Sequence, residues 1–514
     1  MSDAIGVSKN DVDHVDKPQA LLPDELPLPQ EIAHLDQTEL KKLERKLTRM
    51  LDLTLMPVVF ILFLLNILDR NNIASAKIVG LPEDLGMTNS QYNTCLLMFY
   101  IGYCITQVPG NLIIGKVRPS YYICLITSAW GIMSMSQGFV TNFAGLAGVR
   151  FVGAMYIFVL GLVEAPFLPA VFVVMSCWYK RTELPPRIAI LYGGNMLATA
   201  FAGLIAAGIT SRMEGVGGKK AWEWLFIIEG AMTVVIAILL LPLMTDYPLQ
   251  SKHLFLSHDI QLLAEWRIRK ENAGIVDEDP ESIFWGLKQA LTDPKLYMFI
   301  VMQMALITAQ SFNNFFPSIV GTLGYDDTTT LLLTAPPYFF AFIVSLIVSF
   351  HAAHKHERGY HIAAPMIIGL LGNLLAMFVP STGGRYFSMF LMTSGTYSPY
   401  NLCVSWLSAS LPRPRAKRAA ALAINNFMSA GVAHFYTSYM FPDWQKPRYY
   451  IGGAVMTGAC LVVSAMALSI KHYLKKQNAK FEEEEASGMM SHGYIQGSRT
   501  GHGGDAVVAF RYVH

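Results

Sequence analysis

The chain has 514 residues, 53% of them hydrophobic and only 15% charged, with a formal net charge of +2. Soluble domains carry about 25% charged residues, so an ordinary water-soluble globule is excluded, and the near-neutral balance offers nucleic acid no basic surface. The six cysteines stand singly in apolar surroundings, without the spacing of a disulfide framework or a metal site.

Residues 1–50 are polar and carry no cleavable leader, so they read as a cytosolic N-terminal tail ahead of an internal anchor. Charge-poor runs then recur near 52–72, 92–114, 121–138, 143–178, 188–209, 224–244, 296–320, 331–350, 362–379, 386–411, 419–441 and 449–470. Nearly all of them approach the roughly 20 residues a helix needs to cross hydrocarbon; the fourth is too long for one span. The predicted fold class is an all-α integral membrane protein with twelve transmembrane helices in two six-helix pseudosymmetric bundles, 51–244 and 295–472. A cytosolic linker, 245–294, separates them, and a polar, Gly-rich tail, 473–514, is expected to be disordered. Within the linker, Ser257 to Asn272 predicts an amphipathic helix: Ser257 caps it, Leu262, Leu263 and Trp266 form its stripe, and Gly274 stops it.

Lysine and arginine alternate between connections. Lys41, Lys42, Arg45, Lys46 and Arg49 precede the first span, Lys180, Arg181 and Arg187 follow the fourth, and Arg413, Arg415, Lys417 and Arg418 follow the tenth. The positive-inside rule therefore places both termini in the cytoplasm.

Four ionisable residues sit inside these runs: Asp69 and Arg70 in the first, Arg150 and Glu164 in the fourth. Each costs about 2.5–3.5 kcal/mol to insert, so pathway or coupling roles are expected of them. Asp69 and Arg70 stand near the predicted end of the first span, where the bland reading is a membrane-edge pair. Glu164 has apolar neighbours on both sides and no local base, which makes it the foremost candidate for reversible protonation. Glu229 is placed in the first turns of the sixth span and read as structural, a helix-dipole partner. Among uncharged residues, Gln107, Asn195, Gln303, Gln310, Asn313, Asn314, Asn425 and Asn426 widen the candidate lining, with Asn313 and Asn314 favoured beside Phe315, Phe316 and Pro317. His434 reads as a packed residue. His351, His354, His356 and His361 read as a solvated loop, and no phosphate-binding glycine loop is present.

Several stretches stand together in a specific order. They are Leu68-Asp69-Arg70-Asn71-Asn72, the Glu164 region through Ser176-Cys177-Trp178-Tyr179-Lys180-Arg181, Trp222 to Gly230 and Leu291-Thr292-Asp293-Pro294. Asn314-Phe315-Phe316-Pro317-Ser318, Pro447-Arg448-Tyr449 and Phe510-Arg511-Tyr512-Val513 complete the set. Over about residues 50–475 the chain resembles the fungal anion:cation symporters of the major facilitator superfamily, the allantoate permease group. The resemblance implies the major facilitator fold. It also implies that Asp69 and Glu164 are proton-coupling acids and that Arg70 and Arg150 bind the anion or pair with the acids.

The chain departs from the family in the fourth span. Arg150 and Glu164 are fourteen apart where relatives have seven, and Gly153 to Val159 reads as an inserted heptapeptide, either genuine or a gene-model error. Seven residues turn a helix by about 700° and lengthen it by about 10.5 Å, so facing is kept while axial separation doubles. Gly115-Lys116-Val117-Arg118-Pro119-Ser120 lacks the acid common after the second span, and Ala353-His354 stands where relatives often carry Asp-Arg.

The expected function is proton-coupled uptake of a small organic anion, a vitamin- or allantoate-like carboxylate, by alternating access. The proton-coupling set is Asp69 and Glu164; the substrate-binding set is Arg70, Arg150, Asn313, Asn314 and Asn426. No enzyme activity, no cofactor beyond the proton gradient, no metal and no nucleic-acid partner are expected. A monomer in the plasma membrane is anticipated. The alternatives are export of a carboxylated metabolite or a non-transporting nutrient sensor.

Overall fold

The computed structural model describes residues 28–114, 117–139, 159–180, 183–248, 257–272, 283–411, 415–486, 494–495 and 508–509. Each of the twelve apolar runs is mostly helical over its described residues, as hydrocarbon demands of a backbone that must satisfy its own hydrogen bonds. Eight described stretches are long and apolar enough to cross a membrane. The first bundle contains α2 (Leu55–Ile78), α3 (Asn89–Ile114), α4 (Pro119–Gln137), α5 (Phe167–Trp178), α6 (Leu184–Met213) and α7 (Ala221–Leu240), preceded by α1 (Gln37–Leu53). Two linker helices follow, α8 (His258–Asn272) and α9 (Ile283–Leu291). The second bundle holds α10 (Pro294–Ala309), α11 (Asp327–Lys355), α12 (Gly359–Phe378), α13 (Thr382–Tyr397), α14 (Tyr400–Ser410), α15 (Arg415–Asn426) and α16 (Tyr450–Ala486).

Packing repeats at an offset of six spans. In the first half α2 packs on α6 and α7, and α4 on α7; in the second, α10 packs on α15 and α16, and α12 on α16. Close crossings are made by glycine. A Cβ on Gly230 of α7 would meet the backbone of Gly131 and Met135 in α4, and one on Gly395 would meet the backbone of Gly369. The halves meet along α6 and α11, where Gly203 lies against Thr334 and Leu331.

Four sequence expectations change. The first span does not stop at Asn72: α2 runs through Ala74, Ser75 and Ala76 to Ile78, so Asp69 and Arg70 lie about two and a half turns from its end. They are interior residues, not a membrane-edge pair. Inside 1–50, Asp36 caps α1, accepting from the Thr38 and Glu39 backbone N–H groups while Glu39 accepts from Asp36 N at 3.2 Å. Leu47 and Leu51 bury its apolar face, and these backbone hydrogen bonds hold the Asp36 carboxyl below its ordinary range. Beyond residue 472 the chain stays helical to Ala486: Lys, Gln, Ala and Glu dominate and suit an exposed helix, while Leu474, Asn478 and Phe481 are buried. Farther along, Tyr494–Ile495 pairs antiparallel with Val508–Ala509.

The linker helix forms as expected, with Leu263 buried, and docks through a residue outside the anticipated stripe. Arg267, 2% exposed, donates to the Trp178 carbonyl and pairs with Glu183 at 3.2 Å. The same surface holds α1: Lys180 pairs with Glu44 at 2.8 Å, and Arg187 grips both oxygens of Asp52 at 2.6 Å. A bidentate guanidinium–carboxylate contact is among the stronger ion pairs. Asp52→Asn is therefore expected to lower stability by about 1–2 kcal/mol, read as a lower thermal midpoint in detergent, with little change for an exposed control such as Lys41→Met. An unchanged midpoint would mean that α1 docks through its apolar face alone.

Of the four histidines expected in a loop, only His356 lies between helices; His351 and His354 end α11, His361 begins α12, and a carboxylate organises the turn. Glu357 accepts from Lys471 at 2.7 Å, from Tyr360 N at 2.8 Å and from His361 at 2.6 Å, and His351 and His361 share a contact of 2.7 Å. Burial alone would raise the Glu357 carboxyl; these donors outweigh it and hold it below the usual glutamate range.

Candidate functional site

Where the two bundles face each other, Asp69, Arg70 and Asn71 of α2 and Gln310, Asn313 and Asn314, just past α10, line one cavity. Leu96, Phe99 and Tyr100 of α3, Tyr192, Asn195 and Met196 of α6, and Tyr397, Tyr400, Asn401 and His434 complete a cavity of about 200 Å³. That is room for a small molecule, below the range of drug-sized pockets.

Arg70 is the charged centre of the wall. Its Nε donates to Glu164 Oε1, and the carboxylate is 2% exposed while the arginine is 29% exposed. The Phe99 and Tyr103 rings, neighbours on one face of α3, lie side by side against the guanidinium at 5.4 and 5.0 Å. These rings add cation–π attraction and fix the plane of the fork. Glu164 reaches Arg70 because it ends the helical turn Val159–Glu164, just before Pro166 and α5. The base missing from its immediate sequence neighbourhood is supplied by the first span.

Asp69, one residue on, turns the other way, as successive helix residues do at about 100° intervals. It accepts from Trp130 Nε1 at 2.9 Å, Ser134 Oγ at 3.1 Å, Thr233 Oγ1 at 3.2 Å and Asn72 Nδ2 at 3.5 Å. The Asp–Arg dipeptide thus serves two different neighbourhoods.

Asn313 accepts from Tyr338 Oη at 2.7 Å, and Asn314 Nδ2 reaches Tyr100 Oη at 3.5 Å. Asn426 does not line this cavity. A π-helical stretch, Phe427–Val432, follows it immediately and changes the register, so that His434 beyond the stretch faces the cavity. Arg150, Gly153 to Phe158 of the heptapeptide, Gly115 and Lys116 lie outside the described residues, as does the side chain of Gln107. Of the other amides, Asn195 and Gln310 line the cavity; Gln303 and Asn425 are buried away from it.

The tyrosines carry no sequence signal of their own, because aromatic residues populate every span. Tyr100 stacks on His434 at 3.7 Å with planes 5° apart, joining the bundles across the cavity, and Tyr192 meets Tyr400 at 5.6 Å. At the end opposite the termini, Lys77 lies over the Tyr92 and Phe315 rings and Thr94 meets Tyr439 at 3.2 Å. Among the described residues, the ion pairs near the termini described above each stay within one half or its linker. The halves are thus latched at the far end.

A sequence profile described as Major Facilitator Superfamily matches residues 59–438. An uncharacterized transporter of Schizosaccharomyces pombe is 32% identical over 461 residues, 88% of each chain. The major facilitator-type transporter hxnP of Emericella nidulans is 28% identical, over 94% of this chain and 95% of that one. Among solved structures, a D-xylose-proton symporter matches with a TM-score of 0.58 and 16% identity, covering 80% of this chain and 96% of that chain. A bacterial homologue of the lysosomal transporter Spinster, inward-facing and unoccupied, matches with a TM-score of 0.58 and 12% identity over 80% of this chain and 93% of that one.

Proposed function

The chain belongs to the major facilitator superfamily, as a multi-pass membrane secondary transporter and not an enzyme, and from that premise we propose that it takes up a small organic anion together with protons. The observation that carries this reading is the Arg70–Glu164 pair in the cavity wall. A guanidinium stays charged in a dry site and holds carboxylates bidentately. Protonation of Glu164 neutralises its claim on Arg70, and the freed arginine takes the substrate carboxylate; release of the anion lets the pair reform and return the proton. Among described residues no hydrogen bond occupies the terminal nitrogens of Arg70, which leaves donors for that carboxylate.

The amides and tyrosines around it suit a compact anion with further polar atoms, a vitamin- or allantoate-like carboxylate. The allantoate permease group is the branch of the superfamily this fits. We assign the carrier to the plasma membrane, as a monomer with both termini cytoplasmic, in keeping with the positive-inside pattern. The driving force is ample, about 2.3 kcal/mol per charge per 100 mV and about 1.4 kcal/mol per pH unit.

Uptake of labelled nicotinate, pantothenate, biotin and allantoate, at about pH 5 and about pH 7.5, tests the reading. The wild type is expected to show acid-stimulated uptake that a protonophore abolishes, and Glu164→Gln to lose the acid stimulation. Uptake unchanged in the variant would leave Glu164 a structural acid. Efflux from preloaded cells without uptake would make the protein an exporter.

A further inference from the structure

Away from Arg70 lies a second acidic centre that the scheme above does not use. Glu229 of α7 is 1% exposed, and among the described residues neither of its carboxyl oxygens has a hydrogen-bond partner. It shares a helix face with Phe226, which lines the cavity, and with Thr233, which donates to Asp69. Asp69 and Asn72 of α2 lie beside it, and Asn72 Nδ2 donates to Asp69 at 3.5 Å. Asn72 is itself 1% exposed, and its Oδ1 also has no partner. Three acceptor oxygens without a partner therefore belong to two buried side chains that lie beside each other.

An ionised Glu229 would leave all three unsatisfied beside a second carboxylate, an arrangement costing several kcal/mol on general grounds. One proton resolves it: a neutral Glu229 donates to Asn72 Oδ1, while Asn72 Nδ2 continues to Asp69. Asp69, with four donors of its own, is the member equipped to stay anionic. The Trp130 N–H aimed at Asp69 Oδ2 marks this as a carboxylate satisfied by donors, where a metal cation would need bare oxygens.

We propose that Glu229, Asn72 and Asp69 form a second proton-holding site, separate from the Arg70–Glu164 pair, with its resident proton on Glu229. The elements packed on α7 bring no compensating charge. From α4 come Trp130 and Ser134, and from α2 come Asp69 and Asn72. Arg70 on α2 is engaged with Glu164. On α6, Arg187 is engaged with Asp52, Tyr192 faces the cavity, and Arg212 stands in the last turn. Removing the proton would place two anions side by side between α2 and α7. The close Gly131–Gly230 crossing holds α7 against α4, so the strain falls on the α2–α7 contact, beside the cavity.

The role in transport rests on the proton-coupled reading above, but occupancy of the site can be tested without any substrate. Infrared spectra of the purified protein in lipid nanodiscs at neutral pH, free of substrate, should contain the carbonyl band of a protonated carboxyl that exchanges slowly with D₂O. Glu229→Gln should lose that band, Glu229→Asp should shift it, and Glu164→Gln should keep it. Spectra of Glu229→Gln identical to wild type would overturn the proposal, and so would a Glu229→Asp spectrum with no shift. If every anion tested failed to be taken up, the uptake reading would fall while the infrared result would stand by itself.

Discussion

Replacing Arg70 by lysine is expected to lower uptake by about a hundredfold or more, equivalent to ~2.7 kcal/mol of lost binding to the moving anion, without unfolding the protein. Lysine keeps the positive charge beside Glu164, so the buried carboxylate is not orphaned and the thermal midpoint should change little. It cannot keep the division of labour. In the native site Nε is spent on Glu164 and the rest of the planar fork, resting against the Phe99 and Tyr103 rings, fronts the cavity. A lysine ammonium is a single point charge and must serve either the glutamate or the substrate. Initial rates over a range of anion concentrations, with surface expression measured in parallel, check this. Wild-type rates in Arg70→Lys would make Arg70 only a counter-ion for Glu164.

Much of this architecture was legible before any coordinates. Apolar runs of bilayer length have few alternatives to helix, and Glu164, without a local base, had to find one on another span. What escaped was whatever depends on the facing of neighbours. The sequence suggests for Glu229 an acid in the first turns of its span, favoured by the helix dipole, but α7 begins at Ala221, which puts Glu229 about two turns inside, where that field has faded. Asn426 and His434 are separated by a π-helical stretch that periodicity does not announce. Tyr100, Tyr192, Tyr397 and Tyr400 look in sequence like the aromatic residues of any span, and only the crossing of helices turns them into a cavity wall. The membrane-edge reading of Asp69 and Arg70 failed for a related reason. Asn71 and Asn72 resemble a helix stop, yet both are buried and Asn71 donates to Thr199 of α6 at 3.0 Å, so tertiary partners carry the helix through them.

A single methyl group at Gly161 should damage both stability and transport. A Cβ there would run into the Phe99 carbonyl oxygen, with Tyr103 N only 2.9 Å and Phe99 C 3.1 Å away, so the obstacle is backbone and cannot rotate aside. Overpacking of this kind costs about 1–3 kcal/mol. The collision also lies at the root of the site. Phe99 and Tyr103 are the two rings on which Arg70 rests, and Glu164 follows Gly161 by three residues on the same helical face. Pushing the helices apart by about 1 Å separates Glu164 from Arg70, and displacements of that size cost about a hundredfold in function. Gly208→Ala supplies the comparison: a Cβ on Gly208 meets nothing within 4 Å, so the substitution should be neutral or stabilise α6 by up to ~1 kcal/mol through helix propensity. Thermal midpoints and uptake rates for the two variants should therefore diverge, Gly161→Ala falling in both and Gly208→Ala in neither. Equal behaviour would mean that the fourth span does not cross α3 at this closeness, and that the Arg70–Glu164 contact tolerates a looser seat than its burial suggests.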